Sequence, residues 1–177
     1  MALNRLTVSM SPHAYGNDSV RKIMLWVIIA MLPAFIVSAV FFGIDAIRVN
    51  LIAIAACIFF EWTMQKLFFK ERKTNSIGDL SAVVTGMLLA FNLPSNLPWW
   101  IIIIGAFVAI AIAKMSFGGL GNNPFNPALV GRVFLLISFP VQMTSWPKIQ
   151  VLNFALTDAE TGATPLAIVK EGLKSGQ

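Results

Sequence analysis

Long apolar stretches alternate with short polar ones over the first 143 residues of the chain. A transmembrane helix needs about 20 mostly apolar residues. Residues 23–42 carry no charge and meet this length, and residues 49–69 meet it with Glu61 inside. Residues 97–113 form a third stretch that is uncharged and long enough. The pattern therefore predicts helices that cross a membrane.

Two further apolar stretches are shorter. Residues 80–91 are too short to span a membrane alone, and residues 128–143 are slightly short and contain Arg132. After Thr144 the chain turns polar. We therefore expect an all-α integral membrane protein with five transmembrane segments, of which the third is short. The predicted domains are a cytoplasmic N-terminal segment (1–22), a five-segment transmembrane domain (23–143) and an extracytoplasmic loop (144–177).

Composition supports a chain that lies in a lipid bilayer. Hydrophobic residues make up 57% and charged residues 12%, whereas soluble domains carry about 25% charged residues. The net charge of +5 comes from basic residues at the ends of apolar stretches, so it does not indicate nucleic-acid binding. One cysteine and one histidine are too few for an iron–sulfur cluster or a zinc site held by this chain alone.

Basic residues are distributed unevenly between the connections, which predicts an orientation. The first connection has only Arg48, and the third has no charge. If all five segments cross, the N-terminus is cytoplasmic and the tail lies outside; if the third does not cross, the later segments reverse. About twenty mostly polar residues precede the first apolar stretch, so we expect it to remain as an anchor. The basic residues of the cytoplasmic side are Arg5, Arg21, Lys22, Lys66, Lys70, Arg72, Lys73 and Lys114.

The tail contains a short polar motif that differs from the rest of the chain. It reads Asp-Ala-Glu-Thr-Gly-Ala-Thr from Asp158 to Thr164, and Pro165 follows. One interpretation is a helix start, with Thr164 as N-cap and Pro165 at the first helical position. The second is a modification site, because a phosphate at a helix N-terminus is stabilised there. The two interpretations are compatible.

This motif resembles the flavinylation motif of bacterial redox pumps, in which a transferase links FMN through its phosphate to the last threonine. Five segments followed by such a loop resemble the first half of the RnfD protein of the Rnf complex and of its homologue NqrB, from the sodium-pumping NADH:quinone reductase. The run Gly-Asn-Asn-Pro-Phe-Asn-Pro-Ala at 121–128 is also similar to those proteins. The short stretch before the first segment favours Rnf.

The resemblance implies a membrane electron carrier without catalytic residues of its own. Rnf complexes pass electrons between ferredoxin and NAD⁺ and move Na⁺ or H⁺, in the bacterial inner membrane. The implied fold is half of an inverted-repeat arrangement of about ten helices. The implied partners are the other Rnf proteins, which carry flavin and iron–sulfur centres, and a flavin transferase. Thr164 would bear the FMN, and the rest of its motif would be Asp158, Thr161, Gly162 and Ala163.

Other functions remain open from the residues alone. The chain would also suit the NqrB component of the quinone reductase, a half-transporter or channel without a redox role, or an assembly scaffold whose flavin belongs to a partner.

The linker at 116–127 is rich in glycine, asparagine and proline. One interpretation is a loop that ends with Asn126 as N-cap and Pro127 at the first helical position. The other is irregular backbone that lines a cavity, since such backbone is tolerated at membrane depth only there or inside protein. Asn123, Asn126 and Arg132 would then hold a second, non-covalent flavin such as riboflavin.

Glu61 is a carboxylate inside an apolar segment, which is a functional candidate by default. It either lies on an ion path or pairs with Lys66 or with a neighbouring helix. Cys57 is expected to be a small apolar filler. Tryptophans at the segment ends, Trp99, Trp100 and Trp146, are expected at the membrane interface.

Overall fold

The computed structural model describes residues 19–68, 76–145, 147, 169–170 and 173. The elements that it assigns in these ranges are all helical, in agreement with the predicted all-α class. The tail motif from Asp158 to Thr164 lies outside the described residues. The elements are α1 (Val20–Phe68), a 3₁₀ helix (Ser76–Asp79), α2 (Ser81–Phe91), α3 (Trp99–Phe107), a π-helix (Val108–Met115), α4 (Pro127–Ser138) and α5 (Pro140–Met143).

Helix α1 has 49 residues and is broken once, at Gly43. Gly43 has φ 64° and ψ −147°, a conformation that glycine adopts without the steric cost that a Cβ would bring. The sequence pattern predicts a connection between residues 42 and 49, and the break at Gly43 confirms an interruption there. The connection is shorter than predicted, because the helix resumes before Arg48. Arg48 lies on the helix and pairs with Asp45 at 3.2 Å, three residues earlier. A pair at this spacing keeps both charges on one helix surface.

Helix α2 confirms the short third segment. Its 11 residues extend about 16 Å at 1.5 Å per residue. Leu80, directly before it, has φ 60°, which is uncommon for a residue with a bulky side chain. The 3₁₀ helix and Leu80 together turn the chain into α2 and set the position of Ser81, its first residue.

The fourth predicted segment contains a change of helix type. Helix α3 passes without a break into the π-helix, which ends at Met115 rather than at the predicted Ala113. π-Helical turns are rare and occur frequently at functional sites. Lys114, near the end of the π-helix, is buried.

The fifth predicted segment is two helices. Helix α4 ends at Ser138, and α5 begins at Pro140. Phe139 between them has φ −131° and ψ 56°, because the residue before a proline is disfavoured in the helical conformation. The break shortens α4 to 12 residues.

Within the described residues, one helix is long and apolar enough to cross a membrane, Val20–Leu67. The other apolar helices are shorter and comprise Ser81–Phe91, Trp99–Met115 and Pro127–Ser138.

The helices pack through close contacts at glycines. A Cβ on Gly86 of α2 would lie 2.7 Å from Ile54 Cα of α1. A Cβ on Gly131 of α4 would lie 2.8 Å from the carbonyl oxygen of Gly105 in α3. Such contacts bring backbones together, as small residues do in membrane helix packing. The first contact brings α2 against α1, and the second brings α4 against α3.

The contact at Gly86 predicts the effect of one methyl group. We expect Gly86→Ala to lower the free energy of unfolding by about 1–3 kcal/mol, the usual cost of overpacking, because the Ile54 backbone has to move. Thermal unfolding in mild detergent measures this. Gly78→Ala is the matched control, since a Cβ there meets nothing within 4 Å. Equal melting temperatures for both variants would contradict the packing described here.

Candidate functional site

A buried group of three polar side chains joins α1, α2 and the π-helix. The ammonium nitrogen of Lys114 lies 2.7 Å from Glu61 Oε2 and 2.7 Å from Ser81 Oγ. The Glu61 side chain is 0% exposed and that of Lys114 is 1% exposed. We call these residues the Lys114 cluster.

Each member of the Lys114 cluster is held by a different local feature. Glu61 lies near the C-terminal end of α1, and Ser81 is the first residue of α2. Lys114 is the penultimate residue of the π-helix. A leucine in the left-handed helical conformation, a π-helix and a buried ion pair therefore lie next to one another. Strained backbone and rare helix types concentrate at functional sites.

The Lys114 cluster corrects one prediction and identifies an ion-pair partner for Glu61. The sequence pattern places Lys114 in a cytoplasmic connection, and this is wrong, because the π-helix extends past it and buries it. For Glu61 the alternatives are an ion path, a pair with Lys66 or a pair with a neighbouring helix. It pairs with Lys114 of the neighbouring helix, while Lys66 lies 5.0 Å from the centre of the Trp62 ring.

The sequence held a signal for this pairing. Charges inside a membrane segment are costly and pair with one another, and Glu61 is a carboxylate within an apolar segment. Lys114 stands at the end of an uncharged stretch and is an available cation on another segment. The sequence pattern assigns Lys114 to the connection only because it directly follows the uncharged stretch that ends at residue 113.

A second polar contact lies at the opposite end of α2. Arg132 Nη1 of α4 donates to Asn92 Oδ1 at 2.9 Å, and Asn92 Nδ2 donates to the Leu88 carbonyl oxygen at 2.7 Å. Asn92 is the C-cap of α2. A guanidinium at a helix C-terminus is stabilised by the helix dipole, so this contact fastens α4 to the end of α2.

Each of the three residues predicted for a second flavin makes a hydrogen bond within the described chain. Asn126 caps α4, since its side chain accepts from the backbone N–H of Ala128 at 3.0 Å. Asn123 donates to the carbonyl oxygen of Phe125 at 2.9 Å. Arg132 donates to Asn92. The predicted N-cap at Asn126 with Pro127 at the first helical position is confirmed.

A cavity of about 800 Å³ lies beside the contact between Arg132 and Asn92. Asn50 of α1 also lines it and is 3% exposed. Asn50 Nδ2 donates to the Ala46 carbonyl oxygen at 3.0 Å, but in the described part of the chain Asn50 Oδ1 has no hydrogen-bond partner. The cavity therefore joins a guanidinium and an unsatisfied buried acceptor.

The remaining predicted positions divide between described and undescribed residues. Cys57 is fully buried, as expected for a filler, and Trp99 and Trp100 are exposed at the start of α3. Trp146 and the tail motif lie outside the described residues, so neither prediction is tested.

Comparison with known proteins identifies the family of this chain. Residues 7–177 match the model of the NQR2, RnfD, RnfE family. The chain is 50% identical over 167 residues to the D component of the Na(+)-translocating ferredoxin:NAD(+) oxidoreductase complex of Acetobacterium woodii, with 94% of this chain and 50% of that protein covered.

Two more relatives are likewise D components of their complexes. The chain is 45% identical over 167 residues to that of the proton-translocating ferredoxin:NAD(+) oxidoreductase complex of Clostridium ljungdahlii, covering 94% of this chain and 49% of that protein. It is 48% identical over 143 residues to that of the ion-translocating oxidoreductase complex of Haemophilus ducreyi, covering 80% of this chain and 41% of that protein. The chain thus spans about half the length, or less, of these curated relatives. It belongs to the NQR2, RnfD, RnfE family.

Proposed function

We propose that this chain acts as a membrane electron carrier of an Rnf-type complex and carries FMN on Thr164. The relatives are named as D components of ferredoxin:NAD(+) or ion-translocating oxidoreductase complexes, which supports the complex and its class of reaction. The motif from Asp158 to Thr164 supports the flavin. The observation that carries the proposal is this motif in a chain of this family.

The residues of the tail suit attachment through a phosphoester, which requires a hydroxyl side chain. Residues 144–177 contain serine and threonine hydroxyls but no tyrosine, and no cysteine or histidine that would offer another common flavin link. Gly162 and Ala163 are small, so they would leave the Thr164 hydroxyl accessible to a transferase. FMN supplies one- and two-electron transfer, which no side chain of this chain provides. Thr164 then tethers the carrier and has no catalytic role.

The extracytoplasmic position of Thr164 is part of the proposal. Burial of Lys114 removes one of the eight basic residues counted for the cytoplasmic side. The remaining seven lie in the N-terminal stretch and in residues 66–73. The positive-inside rule therefore still favours a cytoplasmic N-terminus. The proposed setting is the bacterial inner membrane.

Two further roles from the sequence remain proposals. A second, non-covalent flavin would rest on Asn123, Asn126 and Arg132, of which Arg132 also donates to Asn92. Glu61 would lie on an ion path only if Lys114 gave up its contact with the carboxylate, since the pair is neutral and buried.

The tethered flavin has a direct test. The full-length protein is co-expressed with the flavin transferase and run on a denaturing gel under ultraviolet light. We expect a fluorescent band for wild type and for Thr157→Ala, a control in the same tail, and no band for Thr164→Ala. A band that persists in Thr164→Ala would contradict attachment at this residue.

The same preparation tests the second flavin site and the role without redox chemistry. Flavin released into solution by denaturation, and lost in an Asn123→Leu/Asn126→Leu variant, would support the second site. Absence of any fluorescent band, with the transferase active on another substrate, would favour a transporter without a redox role.

A further inference from the structure

We propose that the cavity beside Arg132 binds the headgroup of a phospholipid that carries an N–H or O–H donor, with the lipid phosphate against the Arg132 guanidinium.

The cavity lies at the level of a membrane surface. Helix α1 is interrupted at Gly43, and the uncharged residues 23–42 before the break already have the length of a membrane span, about 30 Å at 1.5 Å per residue. Its break at Gly43 is followed by the charged pair Asp45 and Arg48, as expected where a chain reaches the interface. Phe42 and Ala46, on either side of this break, both line the cavity.

Arg132 supplies a positive charge that forms no ion pair with a described carboxylate. A guanidinium has five N–H donors, and in the described part of the chain the hydrogen bond of Arg132 goes to the neutral amide of Asn92. The ion pairs found there join Asp45 to Arg48 and Glu61 to Lys114, so neither carboxylate serves Arg132. Guanidinium groups bind phosphate oxygens through charge-assisted, often bidentate hydrogen bonds. Charge complementarity therefore favours an anion.

Asn50 supplies a hydrogen-bond acceptor, which requires a donor from the ligand. Within the described residues its Oδ1 is buried without a donor, and a buried acceptor that stays unsatisfied destabilises the fold. Native structures pair nearly all such atoms. The terminal torsion of asparagine is broad, so the amide can turn its oxygen to a donor that enters the cavity. The ligand therefore carries a donor as well as an anionic oxygen.

The apolar walls of the cavity favour a ligand with an acyl chain. Val37, Phe42 and Leu136 line the cavity and are 37–53% exposed. Within the described part of the chain these apolar side chains are open to an acyl chain, so a lipid bound in the cavity can continue along this surface. Phosphatidylethanolamine and phosphatidylglycerol present both a phosphate and a donor. Phosphatidylcholine has the phosphate but no N–H or O–H group, which provides a matched control ligand.

The test measures retained lipid in the complex that contains the full-length protein. The complex is purified in mild detergent and exposed to vesicles of phosphatidylethanolamine or of phosphatidylcholine. Bound lipid per copy is then counted by native mass spectrometry. We expect wild type to retain phosphatidylethanolamine and Arg132→Gln to retain about tenfold less, which corresponds to about 1.4 kcal/mol. Arg48→Gln, near the same break in α1, is expected to behave as wild type.

A second variant keeps the proposal testable if Arg132→Gln does not fold. Asn50→Leu removes the unsatisfied acceptor, and we expect it to abolish the preference for phosphatidylethanolamine over phosphatidylcholine. Equal retention in wild type and a folded Arg132→Gln variant would overturn the proposal. An Asn50→Leu variant that keeps the wild-type preference for phosphatidylethanolamine would also overturn it. So would the finding that a flavin, and not a lipid, is bound in wild type and lost in Arg132→Gln.

Discussion

Replacing Lys114 with methionine is expected to lower the free energy of unfolding by about 3–5 kcal/mol, the cost of breaking a buried ion pair from one side. The substitution leaves the Glu61 carboxylate 0% exposed without the ammonium that now lies 2.7 Å away. Glu61→Gln is expected to cost a similar amount, because Lys114 is then the unpaired charge. Thermal or denaturant unfolding in detergent measures both variants.

The double variant Glu61→Gln/Lys114→Met removes both charges of the ion pair at once. It leaves no buried charge in the Lys114 cluster, so we expect most of the lost stability to return. A double-mutant cycle then gives the coupling energy of the two residues. Lys66→Met is the matched control, because Lys66 lies on the same helix as Glu61 and contacts the face of the Trp62 ring. Additive losses in the double variant would contradict the ion pair.

The same double variant tests the proposed ion path without the complication of misfolding. If the carboxylate of Glu61 takes part in ion movement, a folded double variant in the assembled complex transfers electrons but does not pump. If pumping and electron transfer both persist, the Lys114 cluster is structural. This distinction is not available from Glu61→Gln alone, because that change also leaves a buried ammonium.

The sequence predicts the helical segments because apolar length is a strong signal. The short segment at α2, the cap formed by Asn126 and Pro127, and the burial of Cys57 all follow from local chemistry. The break at Gly43 is narrower than the predicted connection, since a single glycine with positive φ interrupts the helix. The split at Phe139 was missed although Pro140 marks it.

The position of Lys114 was not predictable by the same means. A π-helix depends on tertiary contacts rather than on a composition signal, and it moves this lysine from an expected connection to the interior. The contact between Arg132 and Asn92 joins residues 40 positions apart, so it depends on how α2 and α4 pack. The sequence indicates Arg132 as a candidate group but does not predict its contact with Asn92.

The second large effect concerns the tethered flavin in the complex. If FMN on Thr164 is an obligatory carrier, Thr164→Ala removes the attachment point and interrupts the electron path, while the membrane helices stay intact. We therefore expect ferredoxin-dependent NAD⁺ reduction to fall to the background rate. Thr157→Ala, in the same tail, is expected to leave the rate unchanged.

The most direct measurement is this rate in membrane vesicles that contain the complete complex. Wild type, Thr157→Ala and Thr164→Ala are compared at equal amounts of assembled complex, judged by its other proteins. The account predicts full rates for the first two and background for Thr164→Ala. A wild-type rate in the Thr164→Ala complex would show that electrons do not pass through a flavin on this residue, and would contradict the proposed function.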